Sequence, residues 1–471
     1  MTCRFRSTIA LAVLAAMLPA CSLAEQSAIH SAPQPMEEHR AKNVILFIGD
    51  GMGISTVTAA RIYDGQSRGE TGEENLLSFE RFPHVALVKT YNTNQQVPDS
   101  AGTATAMNTG VKTRAGAINV GPAVEIGDCE AGLASPLPSA AEKLSEEGVA
   151  VGIVSTARLT HATPAAVYAH SPDRSWESDA AIPAAERGKG CADIAAQLVE
   201  FPFTVALGGG LANFVGRDHG GRRLQASDDL PVQWRQATGG DYVTTRAAML
   251  AAAADGPLLG LFSPSHMTYM LDRKADTTEP TLSEMTAAAI DRVSADPDGY
   301  FLMVEAGRID HGHHAGTAAY ALSEAQELSR AVQVALDKVD LSETLILVTA
   351  DHGHVFTIAG YPTRGNPILG LAMGNDESGN PAGKPILAAD GRPYTTLGYG
   401  NGPGAVKEMP RPAPASDPRA AQQSLVPLSG ETHGGEDVPL YATGAGSSAA
   451  HGVIEQNRVH DIIMSALGRA N

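Results

Sequence analysis

Apolar residues in this chain come in short unbroken runs, and each run is closed by a polar cluster. The runs are Asn43 to Ile48, Val85 to Lys89, Gly148 to Ser155, Thr204 to Gly208, Leu258 to Phe262, Gly299 to Val304, Thr344 to Thr349 and Val438 to Ala442. They show little alternation of apolar and polar positions, which is the pattern of strands buried on both faces, as in parallel sheets. Helical segments separate them. Ala101 onward is small and helix-compatible, with Asp99 or Ser100 at the helix start. Thr281-Leu-Ser-Glu284 is a capping box that opens a helix to about Ser294. An Ala- and Leu-rich segment runs to about Asp340, and His451 to Leu467 reads as one amphipathic helix. Strand and helix in alternation predict an α/β fold: a doubly wound, mostly parallel central sheet with helices on both faces. From Ile358 to Ser429 proline and glycine become dense and periodicity disappears, which predicts an insertion of loops and short strands in a single domain rather than a second one.

The polar clusters carry the chemistry. In open α/β sheets ligands gather at the carboxyl ends of strands, so clusters far apart in sequence converge there. The richest is Glu305-Ala-Gly-Arg-Ile-Asp310-His311-Gly-His313-His314, where Asp310 and His314 are four apart and share one face of a helical turn. That pair offers one oxygen and one nitrogen to the same ion, as zinc accepts, while Glu305 at the strand end suits a harder cation. Asp50 lies among glycines in Gly49-Asp-Gly-Met-Gly53, and Asp351-His352-Gly-His354 ends the last long run. His433, Ser100, Thr163 and Arg174 belong to further clusters of the same kind. The ligand candidates Asp50, Glu305, Asp310, His314, Asp351, His352 and His433 are too many for one ion. Two zinc-type sites and one oxygen-rich site accommodate them. A two-metal pair about 4 Å apart clamps the attacking and leaving oxygens of a displacement at phosphorus. A serine beside it becomes a nucleophile, and an arginine fork grips two phosphoryl oxygens. On local sequence alone, Ser100 also reads as a plain N-cap.

Composition narrows the setting. With 471 residues, 43% hydrophobic and 18% charged, the chain reads as globular, and its net charge of −18 excludes a general nucleic-acid or anionic-membrane binder. Arg4, Arg6, an apolar run from Ile9 to Leu18 and small residues up to Cys21 form an export signal, too short to span a bilayer. Two endings compete: a lipoprotein box at Leu18-Pro-Ala-Cys21, which would put lipid on Cys21 and end the signal at residue 20, and cleavage after Ala24. Residues 25–40 read as a mobile leader before a domain at 41–471. Location follows the ending: periplasmic, outer-membrane lipoprotein or secreted. Of the four cysteines, Cys129 and Cys191 remain after export, either as a disulfide or as two buried thiols.

Taken in order, Asn43–Gly53, Pro98–Gly116, Thr160–Arg174, Val304–His314, Asp351–Tyr361 and Glu431–Asp437 resemble the alkaline phosphatase family over nearly all of the chain beyond the leader. His161 and His311 resemble the animal-type variant, where the enterobacterial type has Asp and Lys. The resemblance implies hydrolysis of phosphate monoesters through a phosphoserine at Ser100, with Arg174 holding phosphate. It implies one zinc on Asp310, His314 and His433, a second on Asp50, Asp351 and His352, and magnesium on Asp50, Thr163 and Glu305. His161 and His311 are expected behind these ligands, near magnesium and phosphate. The Cys129–Cys191 disulfide and a homodimer are implied as well, with the 358–429 insertion near the dimer interface. Animal members often add a calcium site; Phe262-Ser-Pro-Ser265 lacks its acid, so the resemblance does not carry calcium here. The alternatives are a phosphodiesterase or sulfatase on the same fold, or a zinc- or phosphate-binding protein without turnover.

Overall fold

The apolar runs become the middle of a ten-stranded sheet. The computed structural model describes residues 40–253, 255–406 and 417–469. In chain order its first eight strands are β1 (Asn43–Gly49), β2 (His84–Lys89), β3 (Ala150–Arg158), β4 (Val205–Gly209), β5 (Asp241–Val243), β6 (Leu258–Leu261), β7 (Tyr300–Ala306) and β8 (Thr344–Ala350). The strands Val438–Gly444 and Gly452–Glu455 complete it. From edge to edge the order is Gly452–Glu455, β2, Val438–Gly444, β8, β1, β7, β3, β4, β6, β5. Val438–Gly444 runs antiparallel to both its neighbours, and every other neighbouring pair is parallel.

The centre of this sheet is fully enclosed. Val44 to Ile48, Phe301 to Val304 and Leu345 to Val348 are all 0% exposed, so helices must pack where a single-sided sheet would meet water. The helices α1 (Ile54–Ser67), Leu282–Val293 and Ala318–Lys338 pack together, the last two over the sheet's middle. Thr281 caps the second of these with the reciprocal Glu284 bond expected from its capping box.

Register sets the site. Gly49 pairs with Ala306 on one side and with Ala350 on the other. The residues that follow, Asp50 and Asp351, therefore leave the sheet side by side. Glu305 lies beside Ile48 on β1 and Ser155 on β3, one step inside the rim.

Three features differ from expectation. Asp241–Val243 and Gly452–Glu455 are short strands at the two edges, where few apolar residues are needed because one side stays unpaired. The segment from His451 is accordingly not one helix; a strand precedes the helix Arg458–Ala466. Helix α2 (Ser100–Thr109) is capped by Asp99, whose Oδ1 accepts from the Gly102 N–H at 3.1 Å, so Ser100 is not the cap.

The 358–429 stretch contains loops and small strands. Phe356–Ile358, Leu397–Gly402 and Ser424–Pro427 form a three-stranded sheet, and Met373–Asn375 pairs with Pro381–Pro385. The signal at 1–24, almost all of the leader at 25–40, and Cys21 lie outside the described residues. Among the described residues no helix is long and apolar enough to cross a membrane.

Cys129 and Cys191 are joined in a disulfide with Cα atoms 5.8 Å apart, packed with buried Trp176 and Ile182. The bond closes a separation of 62 residues. Replacing both cysteines by alanine should lower the unfolding free energy by about 2–4 kcal/mol. A denaturant melt checks this, and an unchanged midpoint would remove the bond from the account of stability.

Candidate active site

Four carboxylates meet at the carboxyl end of β1, β7 and β8. Asp50, Glu305 and Asp351 are 0% exposed and Asp310 is 4% exposed. Neither oxygen of Asp50 has a hydrogen-bond partner among the described residues, and Glu305 Oε1 and Thr163 Oγ1 are buried and unpartnered as well. Burial, then the neighbouring charges of Asp351, Asp310 and Glu305, push Asp50 well above the usual carboxylate range. Burial likewise raises Glu305 to about 7, against a hydrogen bond from Ser155 that favours its charged form. Burial alone would raise Asp310, but the surrounding imidazoles, His314 first, then His354 and His433, hold it well below. The backbone is fitted closely around this charge. Gly51 sits at φ +69°, its N–H donates to Asp351 Oδ1 at 2.9 Å, and a Cβ there would fall 2.2 Å from His354 Nε2.

The imidazoles are oriented from behind. His314 Nδ1 donates to the Glu431 carbonyl at 2.6 Å, His433 Nδ1 to the Pro98 carbonyl at 2.8 Å, and His352 Nδ1 to the Gly353 carbonyl at 3.2 Å. A neutral ring that donates from Nδ1 keeps its lone pair on Nε2. Those Nε2 atoms face one another and the carboxylates. His314 and His433 Nε2 are 3.1 Å apart and lie 3.1 and 3.3 Å from Asp310 Oδ1. His352 Nε2 is 3.4 Å from both Asp50 Oδ1 and Asp351 Oδ2. Lone pairs and carboxylate oxygens at these separations repel unless positive charge lies among them. His354 differs: it bridges Asp310 Oδ1 at 3.1 Å and Glu431 Oε2 at 2.6 Å. Burial opposes its charge, yet these two carboxylates raise its pKa to about 9.

Beside these groups stands Ser100, buried and first residue of α2, with its Oγ 3.2 Å from His352 Nε2. Asp99 does two things there. Oδ1 caps the helix, while Oδ2 accepts from Arg174 Nη1 and from the Gly116 N–H, both at 2.9 Å. The other arm of Arg174 donates from Nη2 to His161 Nε2 at 3.1 Å. Burial, then Arg174, keep His161 neutral, and burial lowers His311 to about 3.

The chain therefore brings together Asp310, His314 and His433; Asp50, Asp351 and His352; and Asp50 with Glu305. Four groups have ligand-capable atoms within 4.8 Å of one another: Asp310, His352 and His433; Asp310, His314 and His354; Asp50, Asp351 and His352; Asp50, His161 and Glu305. The last group places His161 within reach of Asp50 and Glu305. This oxygen- and nitrogen-rich set, with its orphaned buried atoms, fits divalent cations. Sequence reasoning missed the parts played by Asp99, Ser155, His354 and Glu431. His354 and Glu431 sat inside quoted motifs, so only their partners were invisible; Ser155 read as the end of a strand.

The alkaline phosphatase family model matches residues 41–469. The chain belongs to the alkaline phosphatase family. The tissue-nonspecific alkaline phosphatase isozyme of Gallus gallus is 45% identical over 450 residues, covering 90% of this chain and 84% of that one. The Homo sapiens tissue-nonspecific isozyme is 42% identical over 457 residues, covering 92% and 85%. Among solved structures, the Thermus thermophilus alkaline phosphatase shares 25% identity at TM-score 0.66, covering 97% of this chain and 96% of that one. The alkaline phosphatase of the Antarctic bacterium TAB5 has the same fold at TM-score 0.65 and 24% identity, covering 92% of this chain and 99% of that one. As a member of this family the protein is a metal-binding hydrolase of phosphate monoesters.

Because Asp99 holds both α2 and Arg174, Asp99→Ala should act twice. Loss of the cap should destabilise the protein by about 1 kcal/mol. Release of Arg174 should raise KM for a phosphate monoester about tenfold, as a charge-assisted hydrogen bond of about 1.5 kcal/mol implies. Thermal melts and steady-state kinetics check the two effects, and an unchanged KM would contradict the second.

Proposed function

We propose that the protein is an exported alkaline phosphatase in which Ser100 is the nucleophile, Arg174 holds the phosphoryl group, and two zinc ions and one magnesium ion complete the site. Asp310, His314 and His433 would hold one zinc, Asp50, Asp351 and His352 the other, and Asp50, Thr163 and Glu305 magnesium. His161 and His311 would orient this machinery. The observation that carries the reading is the approach of Ser100 Oγ to a nest of buried carboxylates and inward-facing imidazole lone pairs, with the Arg174 guanidinium beside it. When bound, the ions neutralise that nest and supply the positive charge that favours ionised serine and stabilises charge on the entering and leaving oxygens.

Ser100 sits at the positive end of α2, where a developing alkoxide is favoured. Its oxygen attacks phosphorus, the ester P–O bond breaks and the alcohol leaves. Water then attacks the phosphoserine, the P–O bond to Ser100 breaks and inorganic phosphate departs. Arg174 has one arm fixed by Asp99, so its planar fork is pre-organised for two phosphoryl oxygens, which a monoester leaves free. That favours monoesters over diesters.

The catalytic domain spans 41–471 with its insertion at about 358–429, after a signal at 1–24, or 1–20 with lipid on Cys21, and a leader at 25–40. The disulfide supports an oxidising compartment, periplasmic or extracellular. A homodimer is part of the same reading, with Tyr361 at 89% and Leu425 at 83% exposure on the insertion as apolar groups available to a partner.

Chelation should abolish hydrolysis of p-nitrophenyl phosphate at alkaline pH, and zinc with magnesium should restore it; full activity after exhaustive chelation would sink the metal assignment. Ser100→Ala should keep its affinity for inorganic phosphate while turnover falls by several orders of magnitude, measured by calorimetry and kinetics. Unchanged turnover would remove Ser100 from its role, and faster turnover of the corresponding diester by the native enzyme would overturn the substrate class.

A further inference from the structure

The histidines of the site divide by which ring nitrogen is already engaged. His314, His352 and His433 donate Nδ1–H to main-chain oxygens and turn Nε2 lone pairs inward, as cation ligands do. On the phosphate side the pattern is reversed. Arg174 donates to His161 Nε2, and Arg158 Nη1 contacts His266 Nε2. A guanidinium has donors only. Each of these Nε2 atoms is therefore an acceptor, and each neutral ring carries its proton on Nδ1. Both Nδ1 atoms are buried and without a hydrogen-bond partner among the described residues.

His266 was not singled out by the sequence, and the reaction outlined above does not use it. Its surroundings are nevertheless built. Arg158 is gripped by both oxygens of Glu177 at 2.6 Å, and Glu177 in turn accepts from Thr160 at 2.5 Å and Asn213 at 2.9 Å. The main chain of His266 is held by Ser263 Oγ, which donates to its carbonyl at 2.8 Å. The ring lies with its centroid 4.0 Å from that of His311 and 5.5 Å from that of His161. His311, whose Nδ1 is also buried and unpartnered, thus rests against a ring that Arg158 immobilises.

We propose that His266 is a third imidazole on the phosphate side of the site: fixed by Arg158 in its Nδ1–H form, it offers a neutral hydrogen bond to a phosphoryl oxygen, or to the water on it, beside His161. A buried N–H left without an acceptor is unfavourable, so an anionic oxygen that fills the gap is bound more tightly than its own charge alone would give. Burial, then the neighbouring His311, Arg158 and Arg308, disfavour charge on the ring, which suits a donor that must release phosphate again. The proposal rests on the assignment of Arg174 to phosphate.

The test compares His266→Asn, His266→Gln and His266→Phe in the metal-loaded full chain, with inorganic phosphate as the probe. Asparagine places an amide nitrogen near the position of Nδ1. Glutamine reaches only the far, Arg158-facing position, and phenylalanine keeps the ring without either nitrogen. His266→Asn should keep the inhibition constant for phosphate within about threefold of native, while Gln and Phe variants weaken it about tenfold, the size of one hydrogen bond. KM should follow, kcat should change little, and metal content by elemental analysis should be unchanged. Asn and Gln variants that behave alike, or a Phe variant that binds phosphate as the native enzyme does, would overturn the proposal in favour of simple ring packing. Arg174→Ala serves as the control: if it leaves phosphate affinity unchanged, the underlying assignment fails whatever His266 does.

Discussion

Everything in this site answers to one constraint, the burial of four carboxylates within a few ångströms of each other. Asp50, Asp351, Glu305 and Asp310 stand at the ends of strands and at a helix start that the sheet itself brings together, since Gly49 pairs with both Ala306 and Ala350. Taking each such charge out of water costs several kcal/mol even after relaxation, and their mutual repulsion adds to it. Among the described residues the fold does not answer with lysines or arginines at the centre. It answers with imidazoles whose protons are drawn outward to main-chain carbonyls, so that lone pairs as well as carboxylates face inward. Such an arrangement is unfavourable by itself and becomes favourable around cations. The protein has stored the cost of the site in its fold, and ion binding recovers it.

The arginine charge is kept to one side of these carboxylates. The Arg174 guanidinium is fixed on one arm by Asp99 and on the other by His161, and Asp99 also fixes the start of the helix that bears Ser100. The proposed nucleophile and the proposed phosphate-binding group thus share one anchor, although Asp99 and Arg174 are 75 residues apart. A shared anchor keeps their separation constant when either element moves, which is what an in-line displacement requires.

The sequence revealed most of this architecture, and the reasons for the rest are physical. Unbroken apolar runs marked β1, β3, β4, β6, β7, β8 and Val438–Gly444 because strands enclosed on both faces leave no place for alternation. The edge strands Asp241–Val243 and Gly452–Glu455 escaped because an edge tolerates polar residues; only pairing with β6 and β2 defines them. Asp50, Asp310, His314, Asp351 and His352 stood out because unpaired charge directly after a buried strand demands a partner. Asp99 passed as one of two candidates for a cap, since local sequence says nothing of Arg174. His354 and Glu431 were visible as residues, but their ion pair spans 77 positions and appears only when the Gly353–His354 strand pairs with His433–Gly434. His266 carried no signal, lying in a loop noted only for lacking an acid.

The two tautomer patterns give the site a direction. On one wall the free nitrogens are acceptors, on the other they are donors, and the wall a histidine belongs to is decided by what stands behind it: a carbonyl behind His314, His352 and His433, a guanidinium behind His161 and His266. Neutral imidazole can serve either wall without changing its charge, because its two tautomers exchange donor and acceptor nitrogens. Ser100 lies between them, its oxygen 3.2 Å from an acceptor nitrogen and its backbone at the positive end of α2. On the proposed assignment, a phosphoryl group placed there would meet cations on one side and neutral or arginine donors on the other. Its charge is therefore balanced across the site rather than concentrated on one partner, a condition under which both attack by serine and release of phosphate remain accessible.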